Sequence, residues 1–481
     1  MSTSAIAARH SCLLSRMEGA AIYISFAAVL LVVLRRLIAA DAQVDWDEEA
    51  YYQMAHFWRG GLIPYRDIFD IKPPMIFVFY MLTSFGDGMF WTRMIVTLLL
   101  VGSTLYMFRA LQRRDWITTQ QIPFLVAALC GAISIGKGVG TNLEQIYIPF
   151  EILAFGFLLD RRPWVAGICA GMVVAVKYTA AADVLGMALT YRFLSEAREE
   201  RLRCLQVCTC AALSFVLVTY GAFYVYFSMH GVDLLEAIVF RNLVHAGSTS
   251  VGIFAPESYF IPVSMLIARM TAPIALLSGF RVRRIRLLCA ALPWLVLSLA
   301  QALITRQYYY HYFLPVFVPI SLLWASLRLE GLLLAILASC LLGFAASQTL
   351  ASLRLNEAYR STAAQYRTVC DAINDRGYIM SMFLAAYRVC KSPHVDKFLF
   401  PAFYLDEHFV QVSQSGGMSA LRAKLHNGEL KTVISTSSFW PDIAPTLEND
   451  RSRVQLVQDP MESFPIESVI SWHCCWAIQE R

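Results

Sequence analysis

The feature that most constrains this chain is a succession of long apolar segments, starting at Ala20 and recurring as far as Gln348, with most of the arginines gathered into the gaps between them. A helix exposed to water keeps a polar face along its whole length. These segments have none, so lipid is the solvent they suit. Of the 481 residues, 57% are hydrophobic and 16% charged, and mean hydropathy is +0.53, an excess that a soluble fold could not hide. The net charge of +5 is what an excess of cytoplasmic arginine requires, so it does not call for a nucleic-acid partner.

A helix needs about 20 apolar residues to cross the hydrocarbon, with roughly 17 as a lower limit. On that measure the candidate spans are Ala20 to Ala40, Phe90 to Ala110, Ile122 to Lys137, Glu144 to Leu159, Trp164 to Tyr178, Ala180 to Phe193, Val207 to Met229, Glu257 to Ser278, Leu287 to Ile304, Tyr312 to Ala325 and Gly331 to Gln348. Arg9 and Arg16 ahead of the first run resemble a secretory signal, but Arg35-Arg36 stand where a cleavage site would fall, so a retained first span is expected. With the N-terminus cytoplasmic, Arg113-Arg114, Arg161-Arg162, Arg198, Arg201, Arg203, Arg281, Arg283, Arg284, Arg286 and Arg328 all become cytoplasmic. That agreement requires Met75 to Phe85, a segment short enough for a re-entrant helix, not to cross. It places Asp41 to Met89 and the tail after Gln348 on the extracytoplasmic face, with Arg35-Arg36 snorkelling to the headgroups.

The chain thus reads as an all-α polytopic membrane protein of about eleven transmembrane helices, with interfacial helices in the first outer loop. Residues 1–350 would be the membrane domain and 351–481 a small soluble α/β domain outside, structural or acceptor-docking in role. In that tail, Asn356 to Asn374 and Ser419 to His426 read as helices, Tyr378 to Met382 and Thr432 to Ser437 as strands. Most of the 12 cysteines lie in apolar runs as small hydrophobes. An extracytoplasmic tail would permit a disulfide between Cys370 and Cys390.

Chemistry is expected in the outer loops, above all the first, VDWDEEAYYQMAHFWRGGLIPYRDIFDIKPPMIFVFY from Val44 to Tyr80. Asp45, Asp47, Glu48 and Glu49 open a helix whose apolar positions Tyr51, Met54, Ala55 and Trp58 would lie on the membrane, with Gly60-Gly61 as its stop. Pro64-Tyr65-Arg66-Asp67 supplies a turn, and Asp70-Ile71-Lys72-Pro73-Pro74 holds Lys72 at the mouth of the next helix.

In its order of Asp-Glu, Tyr, Gly, Pro-Tyr-Arg-Asp, Asp and Lys-Pro-Pro, this loop resembles the first outer loop of polyprenyl-phosphate-sugar-dependent glycosyltransferases of the C-type (GT-C) fold, the protein mannosyltransferases and aminoarabinose-transferase-like enzymes. Arg93, Thr141 to Glu144, the Gly-rich segment Ala166 to Lys177, and YYYHYFLP from Tyr308 to Pro315 follow in the family's order. The likeness spans Ala20 to Leu350, and the absence of a large lumenal repeat domain favours a bacterial inner-membrane enzyme. The resemblance implies inverting transfer of a sugar from a polyprenyl-phosphate donor to a lipid, glycan or protein acceptor, in modification of lipopolysaccharide or another envelope glycan. Such transfer needs a base for the acceptor hydroxyl and cations for the departing phosphate. It implies Asp47, with Glu48, as the catalytic acid pair; Lys72, Arg306, His311 and Lys177 as phosphate ligands; and Tyr51, Tyr65, Asp70, Glu144 and Tyr310 as substrate contacts. Which of Asp45, Asp47, Glu48 and Glu49 is the base stays open. Transfer without a metal or cofactor is expected. The rival reading is a lipid-linked sugar flippase or polysaccharide transporter, for which internal repeats and midplane charges would speak. A ligase or polymerase would gather basic residues in one large outer loop, and His230 to Pro256 carries only Arg241.

Overall fold

The computed structural model describes residues 3–457 apart from 40–41, 87, 135–139, 195–197, 249–263, 266, 269–270, 272–283, 305–308, 328, 381–382, 393–395, 400–403, 405–409, 412, 437–446 and 448–453. The membrane part runs α1 (Thr3–Ile38), α2 (Trp46–Arg59), α3 (Pro74–Thr83), α4 (Phe90–Gln112), α5 (Gln121–Ile133), α6 (Leu143–Leu159), α7 (Pro163–Val176), α8 (Ala181–Leu194), α9 (Arg198–Met229), α10 (Arg241–Ser248), α11 (Ile285–Ile304), α12 (Phe317–Ser326) and α13 (Gly331–Arg367). Among the described residues, five helices are long and apolar enough to cross a membrane: Arg16–Ile38 of α1, α4, Glu199–Met229 of α9, α11 and α13. The expected span Glu257 to Ser278 lies largely outside the described residues.

Helix α3 has 10 residues, hence ~15 Å of length, half of the ~30 Å hydrocarbon, consistent with a segment that does not cross. The segment read as one span from Tyr312 is divided. A 3-10 turn occupies Tyr310–Val316 before α12 starts at Phe317, because Pro315 and Pro319 contribute no backbone N–H to a regular helix. The expected domain boundary at 350 falls inside α13, which continues to Arg367 since nothing between Gln348 and Asn356 breaks a helix. The helix read over Asn356 to Asn374 is therefore the end of α13 followed by the short α14 (Cys370–Asn374).

Beyond α14 come β1 (Gly377–Met380), α15 (Ala385–Val389), α16 (Gly417–His426), β2 (Thr432–Thr436) and β3 (Val454–Val457). The strands form a parallel sheet in the order β1-β2-β3, with Gly377 opposite Thr432 and Val433 opposite Val454. Cys370 and Cys390 are joined as a disulfide, stapling α14 to the end of α15. This tail packs on the first loop. Ala42 and Ala50 join its cluster around Tyr366, Phe383 and Leu384, and Phe69 and Ile71 join the one around Tyr378, Tyr404 and Leu421.

In the membrane part α1 packs along α13, α7 along α9, α8 along α11, and α6 against α4 and α7. Small residues set the close approaches, as expected where lipid supplies no hydrophobic drive. A Cβ on Gly186 of α8 would stand 2.7 Å from the Trp294 Cα of α11. Gly102 of α4, in contrast, faces open space. Gly186→Ala is expected to cost about 1–3 kcal/mol by overpacking, whereas Gly102→Ala should be neutral or stabilising by about 0.5–1 kcal/mol. Unfolding of the two purified variants in detergent checks this, and equal effects would contradict the packing described.

Candidate active site

The four carboxylates that open α2 are sorted by its rotation, since successive residues point about 100° apart. Asp45 is the N-cap: it accepts from the Asp47 N–H (3.1 Å) and from the Asn142 side-chain amide (2.7 Å), joining the first loop to the start of α6. Glu48 is fully buried and receives two hydrogen bonds from Arg93 of α4, at 2.8 and 2.5 Å. Arg93 also donates to the carbonyls of Ala39 and Ala42. Glu49, also buried, accepts from Gln53 (2.9 Å) and takes a fork of bonds from Arg388 of the tail at 3.1 and 3.0 Å. Asp47 alone of the four is half-buried.

Helix α2 does not lie with a polar face in water. Nine of its residues are buried, because its acidic flanks meet Arg93 on one side and Arg388 on the other. Gly61 closes the helix with φ 103°, a left-handed conformation natural to glycine. Tyr65 also has positive φ, 67°. Its ring packs edge-on to Phe227, and its hydroxyl donates to the Lys72 carbonyl at 2.6 Å. Asp70 accepts from the N–H groups of Ile71 (2.6 Å) and Lys72 (3.0 Å), and Asn242 donates to the Ile71 carbonyl. Pro73 then caps α3, with Pro74 at its first position. The Lys72 backbone is thus fixed from several sides.

Groups from three other parts of the chain, and one from its own turn, act on that lysine. The groups acting electrostatically on Lys72 are Tyr312, Asp47, Asp70 and Glu144, and the same four act on the buried Tyr51. Burial opposes the charge of Lys72, but those neighbours outweigh it and raise its pKa above that of an ordinary lysine. Burial likewise lifts Asp70 above the usual carboxylate range, against the charge of Lys72 and the two N–H bonds. Lys177, at the C-terminal end of α7, forms an ion pair with Glu144 (2.5 Å) and lies 4.2 Å from the centre of the Tyr312 ring. His311 meets Tyr312 edge-on (4.5 Å between centroids), and its charge acts on Glu144. Lys72 forms no ion pair among the described residues.

Of the residues expected to act, Asp47, Tyr51, Asp70, Lys72, Glu144, Lys177 and His311 are brought together, with Tyr65 supporting Lys72 from its backbone side. Tyr310 is buried and acts electrostatically on Arg35 at the end of α1. Arg306 lies outside the described residues. Tyr312 takes the place in the cluster expected of Tyr310, and its period-two offset within the aromatic run could have pointed to it. Asn142 and Arg388 had no signal of that kind, since each acts through the fold's pairing of remote segments. Among the described residues no three His, Cys, Asp or Glu side chains form a metal-ligand set.

No family model matches the chain, and no curated protein matches it by sequence. A solved structure shares its fold: ArnT from Cupriavidus metallidurans bound to undecaprenyl phosphate, an aminoarabinose transferase, is similar with a TM-score of 0.61 over 88% of this chain and 94% of that one at 13% identity.

Because Glu48 and Arg93 are both buried, removing one partner strands the other. Arg93→Met is expected to cost about 3–5 kcal/mol, and the Arg93→Met, Glu48→Met double variant to recover much of it. Unfolding in detergent measures this, and a double variant no more stable than the single one would refute the pairing.

Proposed function

We propose that this chain is an integral membrane glycosyltransferase that moves a sugar from a polyprenyl-phosphate donor to a lipid, glycan or protein acceptor. The reaction takes place on the extracytoplasmic face of a bacterial inner membrane, in modification of an envelope glycan. The observation that carries this reading is the convergence of Asp47, Lys72, Glu144, Lys177, His311 and Tyr312, from four loops far apart in sequence, on one half-buried cluster. The ArnT structure of the same fold, solved with undecaprenyl phosphate, supports a lipid phosphate as donor. The tail from 351 onward is assigned to the same face as a domain that buttresses the first loop.

In the proposed reaction the acceptor hydroxyl oxygen attacks the anomeric carbon, and the bond from that carbon to the phosphate oxygen breaks with inversion. Asp47 takes the hydroxyl proton. It is chosen among the four acids because it alone is half-buried and acts electrostatically on Lys72, whereas Asp45 caps α2, Glu48 holds Arg93 and Glu49 holds Arg388. Glu48 thereby becomes a positioning residue. Lys72, charged and without an ion pair among the described residues, receives the departing phosphate, with Arg306 as the expected second cation. Lys177 is engaged by Glu144, so its role is to hold that carboxylate and the Tyr312 ring in place. The half-burial of Asp47 suits a base that must meet an incoming acceptor.

Purified protein given a polyprenyl-phosphate sugar and an extract of envelope glycolipids should transfer the sugar, and should do so in the presence of a chelator. Asp47→Asn should lower kcat by about 100- to 10,000-fold while the protein still inserts and folds. Full activity in that variant would remove Asp47 from the role of base.

A further inference from the structure

A second polar cluster lies in the membrane part, on helices expected to cross. Glu151 of α6 and Asp183 of α8 are fully buried. Glu151 follows Glu144 and Tyr147 along one face of α6, at i, i+3 and i+7. One carboxylate oxygen of Glu151 accepts from the Trp294 indole N–H (2.8 Å), and the other is buried with no partner in the structure. Asp183 accepts from the Ser298 hydroxyl (2.5 Å) and the Tyr147 hydroxyl (3.4 Å). With the Gln301 amide nitrogen turned toward Asp183, that side chain donates to both carboxylate oxygens, and its own oxygen accepts from the Tyr147 hydroxyl at 2.9 Å in place of the bond from Tyr147 to Asp183.

Every donor named here is neutral. Among the described residues, Asp183 acts electrostatically on Glu151, and Lys177 and Glu144 act on Asp183. Tyr147 faces it from α6, and α11 presents only the uncharged Trp294, Ser298 and Gln301. Lys177 is already bonded to Glu144, so that ion pair has no net charge left with which to balance the other two acids. Two carboxylates buried at low dielectric, with no cation bonded to either among the described residues, cannot both stay ionised. The partnerless oxygen of Glu151 is where a proton is least contested.

We propose that Glu151 and Asp183 form a proton-binding site in the membrane interior, one proton being held on the partnerless oxygen of Glu151. The site is separate from the cluster around Lys72 and stands whether or not the chain is a glycosyltransferase. In the protonated state the pair carries one negative charge and ties α6, α8 and α11 together through Trp294, Ser298 and Gln301. As pH rises and the proton leaves, two anions face each other and the helices loosen. The stabilisation is therefore complete at low pH and lost on the alkaline side.

Infrared spectra of the purified protein in lipid nanodiscs test this. Wild type should show the carbonyl stretch of a protonated carboxylic acid at neutral pH, disappearing on alkaline titration together with a fall in the unfolding midpoint. Glu151→Gln and, independently, Asp183→Asn should each remove that band and flatten the alkaline fall in stability. The wild-type titration decides alone if neither variant folds. Absence of the band at neutral pH, its persistence in folded variants, or stability that follows sodium concentration and ignores pH would each overturn the proposal.

Discussion

The arrangement of the outer loops depends on one buried guanidinium. Arg93 binds Glu48 through two nitrogens and spends further donors on the carbonyls of Ala39 and Ala42. It thereby fixes the chain leaving α1, the rotation of α2 and the start of α4 relative to one another. A lysine could not do this, since it lacks the planar fork that satisfies a carboxylate and two carbonyls at once. With Glu48 pinned, the helical repeat dictates the rest: Glu49 turns to Arg388 in the tail, and Asp47 turns toward Tyr51 and Lys72. An acidic run that would repel itself in isolation becomes three groups with three separate environments.

Charge placement around Lys72 follows the same logic. Burial alone would drive an ammonium to lose its proton, yet Asp47, Asp70, Glu144 and Tyr312 surround it and hold the charge in place. Lys177, close by, is neutralised by Glu144 and stacked over Tyr312. Among the described residues the cluster therefore keeps in Lys72 a cation whose neighbours favour its charge but do not form an ion pair with it, which is the property a transient anionic ligand requires. The proposed role of Lys72 rests on that difference between the two lysines.

Much of this was legible in the sequence, for physical reasons that also mark where reading stops. The bounds of α4, α6, α7, α8 and α11 lie within a few residues of those expected, because apolar length alone marks such segments. The first loop could be read because carboxylates, a lysine and prolines outside apolar runs are local signals with local causes. The pairings of those carboxylates could not. Arg388 lies 339 residues from Glu49 and Asn142 lies 97 from Asp45, and nothing in either segment announces its partner. The unbroken α13 was missed because composition changes near residue 350 while helix propensity does not. Glu151 and Asp183 escaped because averaging over an apolar window hides a single acid, although an acid in such a window is costly and so informative.

Helix α6 connects the two polar clusters. Its one face carries Glu144 at the first loop's cluster, Tyr147 next, and Glu151 deeper among α8 and α11. Among the described residues the one lysine paired with an acid of this face is Lys177, which ends α7 where the helix stops, beside Glu144. A deeper cation would have to be inserted among α6, α8 and α11, where Gly186 already permits α8 to approach the backbone of α11 to within the width of a side chain. A proton needs no such insertion, so the close packing of α8 on α11 suits the protonation proposed for Glu151 and Asp183.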